Sequence, residues 1–283
     1  MSTHPSKPTL VLGGTGKTGR RVVVRLRRRS LPVRVGSRSA APPFDWEDTS
    51  TWAPVLGGVK SAYVSYYPDF AVPGGVETVG SFAELAVKGG VSRLVLLSGR
   101  GEHEAEQAEQ AVRASGGEVT ILRSAWFAQN FSEDYMLEHV LSGVVALPAG
   151  QTPEPFIDAD DIAEVAVAAL TDDRHVGELY ELTGPRLLTF TEAIAEIAGA
   201  SAREIRYVPV SIAEHAAAAA HQGVPGEVID LLTYLFAEVL DGRNAHVADG
   251  VQRALGREPR DFSLYARDAA ATGVFNQRRQ VAA

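Results

Sequence analysis

Between Thr9 and Ser30 the chain reads TLVLGGTGKTGRRVVVRLRRRS, and two nucleotide-binding patterns overlap there. Gly16-Lys17-Thr18 matches the end of an ATP-binding phosphate loop, while glycines at 13, 16 and 19 carry dinucleotide spacing. Counting separates them. The ATP pattern needs a glycine five positions before its Gly-Lys pair, and Val11 stands there inside an apolar run. A dinucleotide site needs a strand, a glycine-rich turn and a helix whose first N–H groups face a pyrophosphate. TLVLGG supplies the strand and GKTGRRVVVRLRRR the helix. Gly13 is expected to make the tight turn, Gly16 to let the backbone approach the phosphates, and Gly19 to let the helix pack on the strand. Thr15, Lys17 and Thr18 complete this cofactor-binding turn.

The second strand decides which dinucleotide. NAD sites place an acid at its end to hold the ribose 2′-hydroxyl, whereas a 2′-phosphate calls for arginine. Here the strand ends VRVGSRS, with no acid and with Ser37 and Arg38 in place, so the expected cofactor is NADP(H). Lys17 adds a second positive charge. Arg25, Arg27, Arg28 and Arg29 are read as solvated cations favourable at a helix C-terminus.

These residues need a scaffold, and the first half of the chain provides an alternating one. LPVRVGS, VKSAYVSY, VSRLVLLSG and EVTILRS read as further strands, with helical patterns at Gly75 to Lys88 and Glu102 to Ser115 between them. That rhythm predicts an α/β fold with a doubly wound parallel sheet. Residues 8–150 are expected to form the nucleotide-binding domain and 151–275 a smaller α/β substrate lobe. A strand at 178–183 is expected to rejoin the main sheet, and 276–283 to be a flexible tail. Asp158, Asp160 and Asp161 are read as a helix start, as are the capping boxes Thr189/Glu192 and Ser211/Glu214.

The chain has 283 residues, 45% apolar and 22% charged, with a formal charge of −8 and no cysteine. The negative charge argues against nucleic acid or anionic membrane as a partner. The absence of cysteine excludes disulfides, thiolate catalysis and cysteine-ligated zinc. No apolar stretch suggests a signal peptide or a membrane span. A cytoplasmic protein acting on a small molecule, as monomer or homodimer and with no metal, is the expectation.

LVLGGTGKTGRRV, SRLVLLSG, AEQAVRASGGEVTILRSAWFAQNF, PFIDADDIAEVAVAAL and GELYELTGPRLLTFTEAIAEIAG follow one another as in the NmrA-like atypical short-chain dehydrogenase/reductases, which the chain resembles over nearly its whole length. FDWEDTSTW and LDGRNAHVADGVQRALGREPRDF place it near the quinone oxidoreductase type and bacterial relatives of ergot-alkaloid agroclavine dehydrogenase. The resemblance implies an extended Rossmann fold with NADP(H) along the C-terminal strand ends and an oxidoreductase function, with secondary metabolism as a setting. It further implies that Asp45 and Trp46 lie beside the adenine, that Ser65, Tyr66 and Tyr67 follow the strand passing the middle of the cofactor, and that Ser98 and Gly99 border the nicotinamide. Trp126, Phe127 and Asn130 would line the substrate cleft; Tyr67 and Phe156 add aromatic surface suited to a flat substrate.

One departure from the family pattern concerns the chemistry. Short-chain reductases use a Tyr-x-x-x-Lys pair to protonate a carbonyl oxygen as hydride arrives, and those positions fall at about Gly101 and Ala105. GRGEHEAEQAEQ contains neither tyrosine nor lysine. His103 is the one nearby titratable nitrogen suited to neutral pH, and Glu102, Glu104, Glu106 and Glu109 read as a solvated helix face, one member of which could face the cleft. No catalytic residue is assigned. The expected acceptor is a quinone or an iminium ion, neither of which needs that acid as an ordinary ketone does. A dinucleotide-binding redox sensor and a redox-neutral enzyme on the same fold are the alternatives.

Overall fold

The computed structural model describes residues 7–276. All of the expected tail except Asn276 therefore lies outside the described residues.

In chain order the elements are β1 (Thr9–Leu12), α1 (Lys17–Arg28), β2 (Val33–Gly36), α2 (Trp52–Leu56), β3 (Ser61–Val64), α3 (Gly75–Lys88), β4 (Arg93–Gly99), α4 (His103–Ala114) and β5 (Glu118–Ser124). There follow α5 (Asn130–Glu133), α6 (Met136–Ser142), β6 (Val144–Leu147), α7 (Ala159–Thr171), β7 (Leu179–Leu182), α8 (Phe190–Ser201) and β8 (Arg206–Pro209). The chain continues through α9 (Ile212–His221), α10 (Gly226–Tyr234), a π-helical turn at Leu235–Val239, α11 (Gly250–Leu255) and α12 (Phe262–Ala271). No helix among the described residues is long and apolar enough to cross a membrane.

Two compact units share these elements. The first comprises residues up to Ser124, Ala159–Leu182 and Asp249–Arg257; the second comprises Ala125–Asp158, Thr183–Ala248 and the residues from Glu258 on. The expected boundary at 150 is thus replaced by a departure at Ser124 and two returns. The reason is packing: the apolar face of α7 covers β3, β4 and β5 and pairs with α1, and α11 lies against β7 so closely that a side chain at Gly250 would collide with the backbone of Glu181. A reading that follows chain order does not see such returns.

The first unit is a doubly wound α/β fold. Its sheet has the order β2-β1-β3-β4-β5-β7, every pair parallel. β1 and β3 are buried along their whole length, as parallel strands covered on both faces must be. After β2 the chain crosses back over β1 to place β3 on its other side. That reversal opens a crevice at the C-terminal ends of β1 and β3, where ligands bind in such sheets.

The second unit has a two-stranded parallel sheet, β6 with β8, and an aromatic core in which Phe131, Phe156, Phe190 and Phe262 contact one another at centroid distances of 5.2–5.9 Å. The capping boxes at Thr189/Glu192 and Ser211/Glu214 start α8 and α9.

The aspartates around the start of α7 have arginine partners. Asp158 accepts from Gln129 Nε2 and Arg260 Nε, both at 2.7 Å. Asp160 pairs with Arg25 at 2.7 Å, so Arg25 ties α1 to α7 and is not merely solvated. Asp161, 0% exposed, accepts from Arg257 at 2.7 Å. A helix-start reading captures the position of these carboxylates and misses their arginine partners, which lie far away in sequence.

Candidate functional site

The turn after β1 has the geometry its glycines predict. Gly13 adopts φ +61°, a left-handed conformation that favours glycine. A side chain at Gly19 would collide with the carbonyl of Gly13, so the close approach of helix and turn requires its absence. Gly16 is exposed and extended (φ −80°, ψ −177°) at the α1 N-cap. The first turn of a helix presents N–H groups with no intrahelical acceptor, and here no side chain caps them and no acid stands among them. An anion fits that cradle. Thr15 is exposed and Lys17 half-buried at its rim, whereas the Thr18 hydroxyl turns inward to accept from the buried Tyr63 hydroxyl at 2.9 Å.

Ser65 follows β3 directly and lies against Gly13, 3.7 Å from where a Cβ would stand. This places the glycine turn at the reversal of strand order. Ser37 and Arg38 follow β2, the strand paired with β1 on its other side, and Arg38 is exposed. Trp46 donates its indole N–H to the Ser65 carbonyl at 3.3 Å and packs on Tyr66 at 5.0 Å. Asp45 anchors the same loop, its carbonyl accepting from the Trp52 indole at 2.9 Å. The structure thus brings the turn, Ser65, Tyr66 and Trp46 together, and Tyr67, 75% exposed, follows them.

Ser98 and Gly99 end β4, next to β3. Ser98 is buried, and its hydroxyl donates to Glu109 Oε1 at 2.7 Å. Glu109, 4% exposed, is gripped by Arg123 from β5 through two hydrogen bonds of 2.9 and 2.5 Å. Glu109 is therefore a buried acceptor held by Ser98 and Arg123 and not part of a solvated face. His103 is exposed and hydrogen-bonded to Gln107 at 3.0 Å, while Ala105 is fully buried.

Glu102 also departs from the solvated-face reading. It precedes α4 in extended backbone, yet its side chain does not cap the helix. Its carboxyl lies against Gly99, 2.0 Å from where a Cβ there would stand, and the Asp69 carboxylate of the loop after β3 acts on it electrostatically. Burial and the neighbouring Asp69 carboxylate push Glu102 well above the ordinary carboxylate range, and burial raises Asp69 too. Sequence reasoning missed this pair because the partners stand 33 positions apart with nothing local to link them.

Trp126, Phe127, Asn130 and Phe156 belong to the second unit. Phe127 bridges to Ile157, and the Ile157 N–H donates to the Trp126 carbonyl at 2.9 Å, which fixes Trp126 on the segment that also carries Phe156. Trp126 is half-buried and packs on Phe190 at 5.8 Å and on Phe236 of the π-helical turn at 5.3 Å. Asn130 begins α5 and is half-buried. Phe156 differs from these. It is 2% exposed and its ring is surrounded by Phe131, Phe190 and Phe262, so the aromatic surface expected for substrate is spent on the core of the unit. Phe236 and His215, whose rings stand 5.6 Å apart, join the Trp126 cluster; no sequence motif marks them.

No family model matches the chain. It is 32% identical over 275 residues to an uncharacterized oxidoreductase, YesF, of Bacillus subtilis, covering 92% of this chain and 94% of that protein. It is 30% identical over 283 residues to an NAD(P)H azoreductase of Xenophilus azovorans, covering 93% and 98%. Among solved structures, the NADPH-dependent quinone oxidoreductase QOR2 of Escherichia coli, complexed with NADPH, superposes with a TM-score of 0.77 at 20% identity, covering 95% of this chain and all of that one. NmrA, a negative transcriptional regulator, superposes with a TM-score of 0.66 at 16% identity, covering 95% and 98%. With a doubly wound sheet, a glycine turn at its strand reversal, and relatives of this identity along almost its full length, the chain belongs to the NmrA-like atypical short-chain dehydrogenase/reductases.

Proposed function

We propose that the protein transfers hydride from NADPH to a flat, conjugated acceptor of the quinone or iminium class, without the tyrosine and lysine of ordinary short-chain reductases. That the chain is an NAD(P)H-dependent oxidoreductase comes with its family. What supports the finer reading is the stretch beyond β4: Gly101 and the fully buried Ala105 stand at about the two positions where the family resemblance puts that pair, and residues 99–110 hold neither tyrosine nor lysine. Reducing an aliphatic ketone creates a localised alkoxide, and a positioned acid contributes about 10²–10⁴-fold to such a step. An iminium ion becomes a neutral amine on hydride addition, and a quinone becomes a delocalised, weakly basic phenolate. The acceptor-contacting residues we assign are Tyr67, Trp126, Phe127 and Asn130, whose aromatic members offer faces for a planar ring.

The cofactor would be held by the cradle at the start of α1, with Gly13, Thr15, Gly16, Lys17, Thr18 and Gly19 around the pyrophosphate and Ser37 and Arg38 at the 2′-phosphate. Asp45, Trp46, Ser65 and Tyr66 would flank its adenosine and middle part, and Ser98 and Gly99 its nicotinamide. NADPH consumption measured with a quinone, an iminium ion and an aliphatic ketone tests the acceptor class. Turnover of the first two and feeble turnover of the ketone is expected; turnover of the ketone alone overturns it.

Arg38 gives a separate prediction. Replacing Arg38 with Ala should weaken NADPH about ten- to hundredfold, as loss of a charge-assisted contact worth about 1.5–3 kcal/mol implies, and leave NADH nearly unchanged. Calorimetric titration of both cofactors checks this; equal affinities of the unaltered protein for the two would remove Arg38 from the 2′-phosphate.

A further inference from the structure

We propose that the preferred acceptor is a planar organic cation, and that Glu154 selects it over a neutral ring by placing a buried carboxylate beside the Trp126 seat. The inference rests on the functional reading above, narrows its acceptor class to the charged member, and asks no residue for a proton. Glu154 belongs to the second unit, on the segment between β6 and α7, and is 1% exposed. Its backbone is fixed by a pair of hydrogen bonds: its N–H donates to the Leu188 carbonyl at 2.9 Å, and the Leu188 N–H donates back at 3.0 Å. The side chain turns to Trp126, whose backbone N–H donates to Glu154 Oε1 at 3.3 Å. Trp126 is tied to the same segment through Ile157. The carboxyl is therefore held at the root of the indole on which the acceptor is seated.

The indole is placed to receive a positive charge. Phe190 meets it edge-on at 85° and Phe236 tilts at 45° to it, so neither ring stacks flat on the half-buried Trp126. A cation over an indole face is attracted by the ring quadrupole, and a carboxylate nearby adds a Coulomb attraction that low-dielectric surroundings strengthen. His215, joined to this cluster through Phe236, is pushed below the ordinary imidazole range by burial and by neighbouring His139, so it adds no competing positive charge at neutral pH. Accepting one N–H needs only a carbonyl oxygen, and glutamine would serve at a smaller desolvation cost than a carboxylate. The negative charge is what a cationic acceptor adds a use for. NADPH, when bound, supplies the hydride and is oxidised by two electrons: a C–H bond forms on the iminium carbon, the C=N π pair becomes the nitrogen lone pair, and the cation becomes a neutral amine. The positive charge is already fading in the transition state, so Glu154 holds the substrate more tightly than the transition state or the product. Its signature therefore lies in KM and not in kcat.

The test compares Glu154→Gln with the unaltered protein. The variant keeps the size of the side chain and an acceptor for the Trp126 N–H, and loses only the charge. KM for an iminium acceptor should rise about ten- to hundredfold with no fall in kcat, while KM for a quinone stays nearly unchanged. Independently of turnover, calorimetric titration of the NADPH-loaded, unaltered protein should show phenyltrimethylammonium, which cannot accept hydride, binding about tenfold or more tighter than its neutral isostere tert-butylbenzene. A merely apolar seat gives the opposite order, because the ammonium has more hydration to lose. Glu154→Gln should erase the preference for the cation. An unchanged iminium KM, an equal change on both acceptors, or no preference for phenyltrimethylammonium in the unaltered protein overturns the proposal, and the last of these decides the matter even where Glu154→Gln fails to fold. An unaltered protein that oxidises NADPH with neither an iminium ion nor a quinone overturns the functional reading itself, a different result from any of these.

Discussion

Gly16→Val should fold and lose its dinucleotide. At Gly16 the backbone lies in an extended region open to any residue, and an added Cβ would stand 3.2 Å from the Gly13 carbonyl, tight but relieved by a shift of tenths of an ångström. Native circular dichroism and a nearly unchanged melting temperature are expected. What the valine occupies is the space over the first turn of α1, where a pyrophosphate would meet backbone N–H groups. Losing even one or two charge-assisted hydrogen bonds costs about 1.5–3 kcal/mol each, so NADPH affinity should fall on the order of a hundredfold or more. Fluorescence titration measures it, and normal NADPH binding by a folded Gly16→Val protein would put the cofactor elsewhere. Gly19→Val is the contrasting control. Its side chain would strike the Gly13 backbone itself, so instability is expected together with any loss of binding.

The second large effect is on stability and lies below the site. Glu109→Ala removes the acceptor of the Arg123 fork and of the Ser98 hydroxyl at once. Breaking a buried ion pair from one side costs about 3–5 kcal/mol, because the remaining charge has lost its partner. Arg123 retains weaker links to Glu106 at 3.3 Å and Glu181 at 3.6 Å, which place the expected loss toward the lower end. Chemical denaturation should show the midpoint falling with an unchanged slope. Glu109→Gln, which can still accept one hydrogen bond from Ser98 or Arg123, should lose less. A solvated helix face, the reading the sequence suggests, would give both variants nearly unaltered stability.

The sequence by itself determined the local features. Strand, turn and helix at Thr9 to Arg28 could be read because each glycine answers a constraint within a few residues: the positive φ of Gly13 and the contact of Gly19 with Gly13 are short-range facts. The same holds for α3, whose bounds at Gly75 and Lys88 match its periodicity, and for the capping boxes of α8 and α9. The parallel sheet was legible because apolar runs alternate with helical patterns. The tertiary structure alone decided which carboxylates are paired and with what. Glu109 meets Arg123, Asp161 meets Arg257 and Asp158 meets Arg260 across 14, 96 and 102 positions. It also turned Phe156 into core and brought 249–257 back to the sheet. A charge or a ring in a sequence shows what it can do, but its surroundings fix whether it is solvated, paired or buried, and those surroundings are assembled only when strands distant in the chain become neighbours.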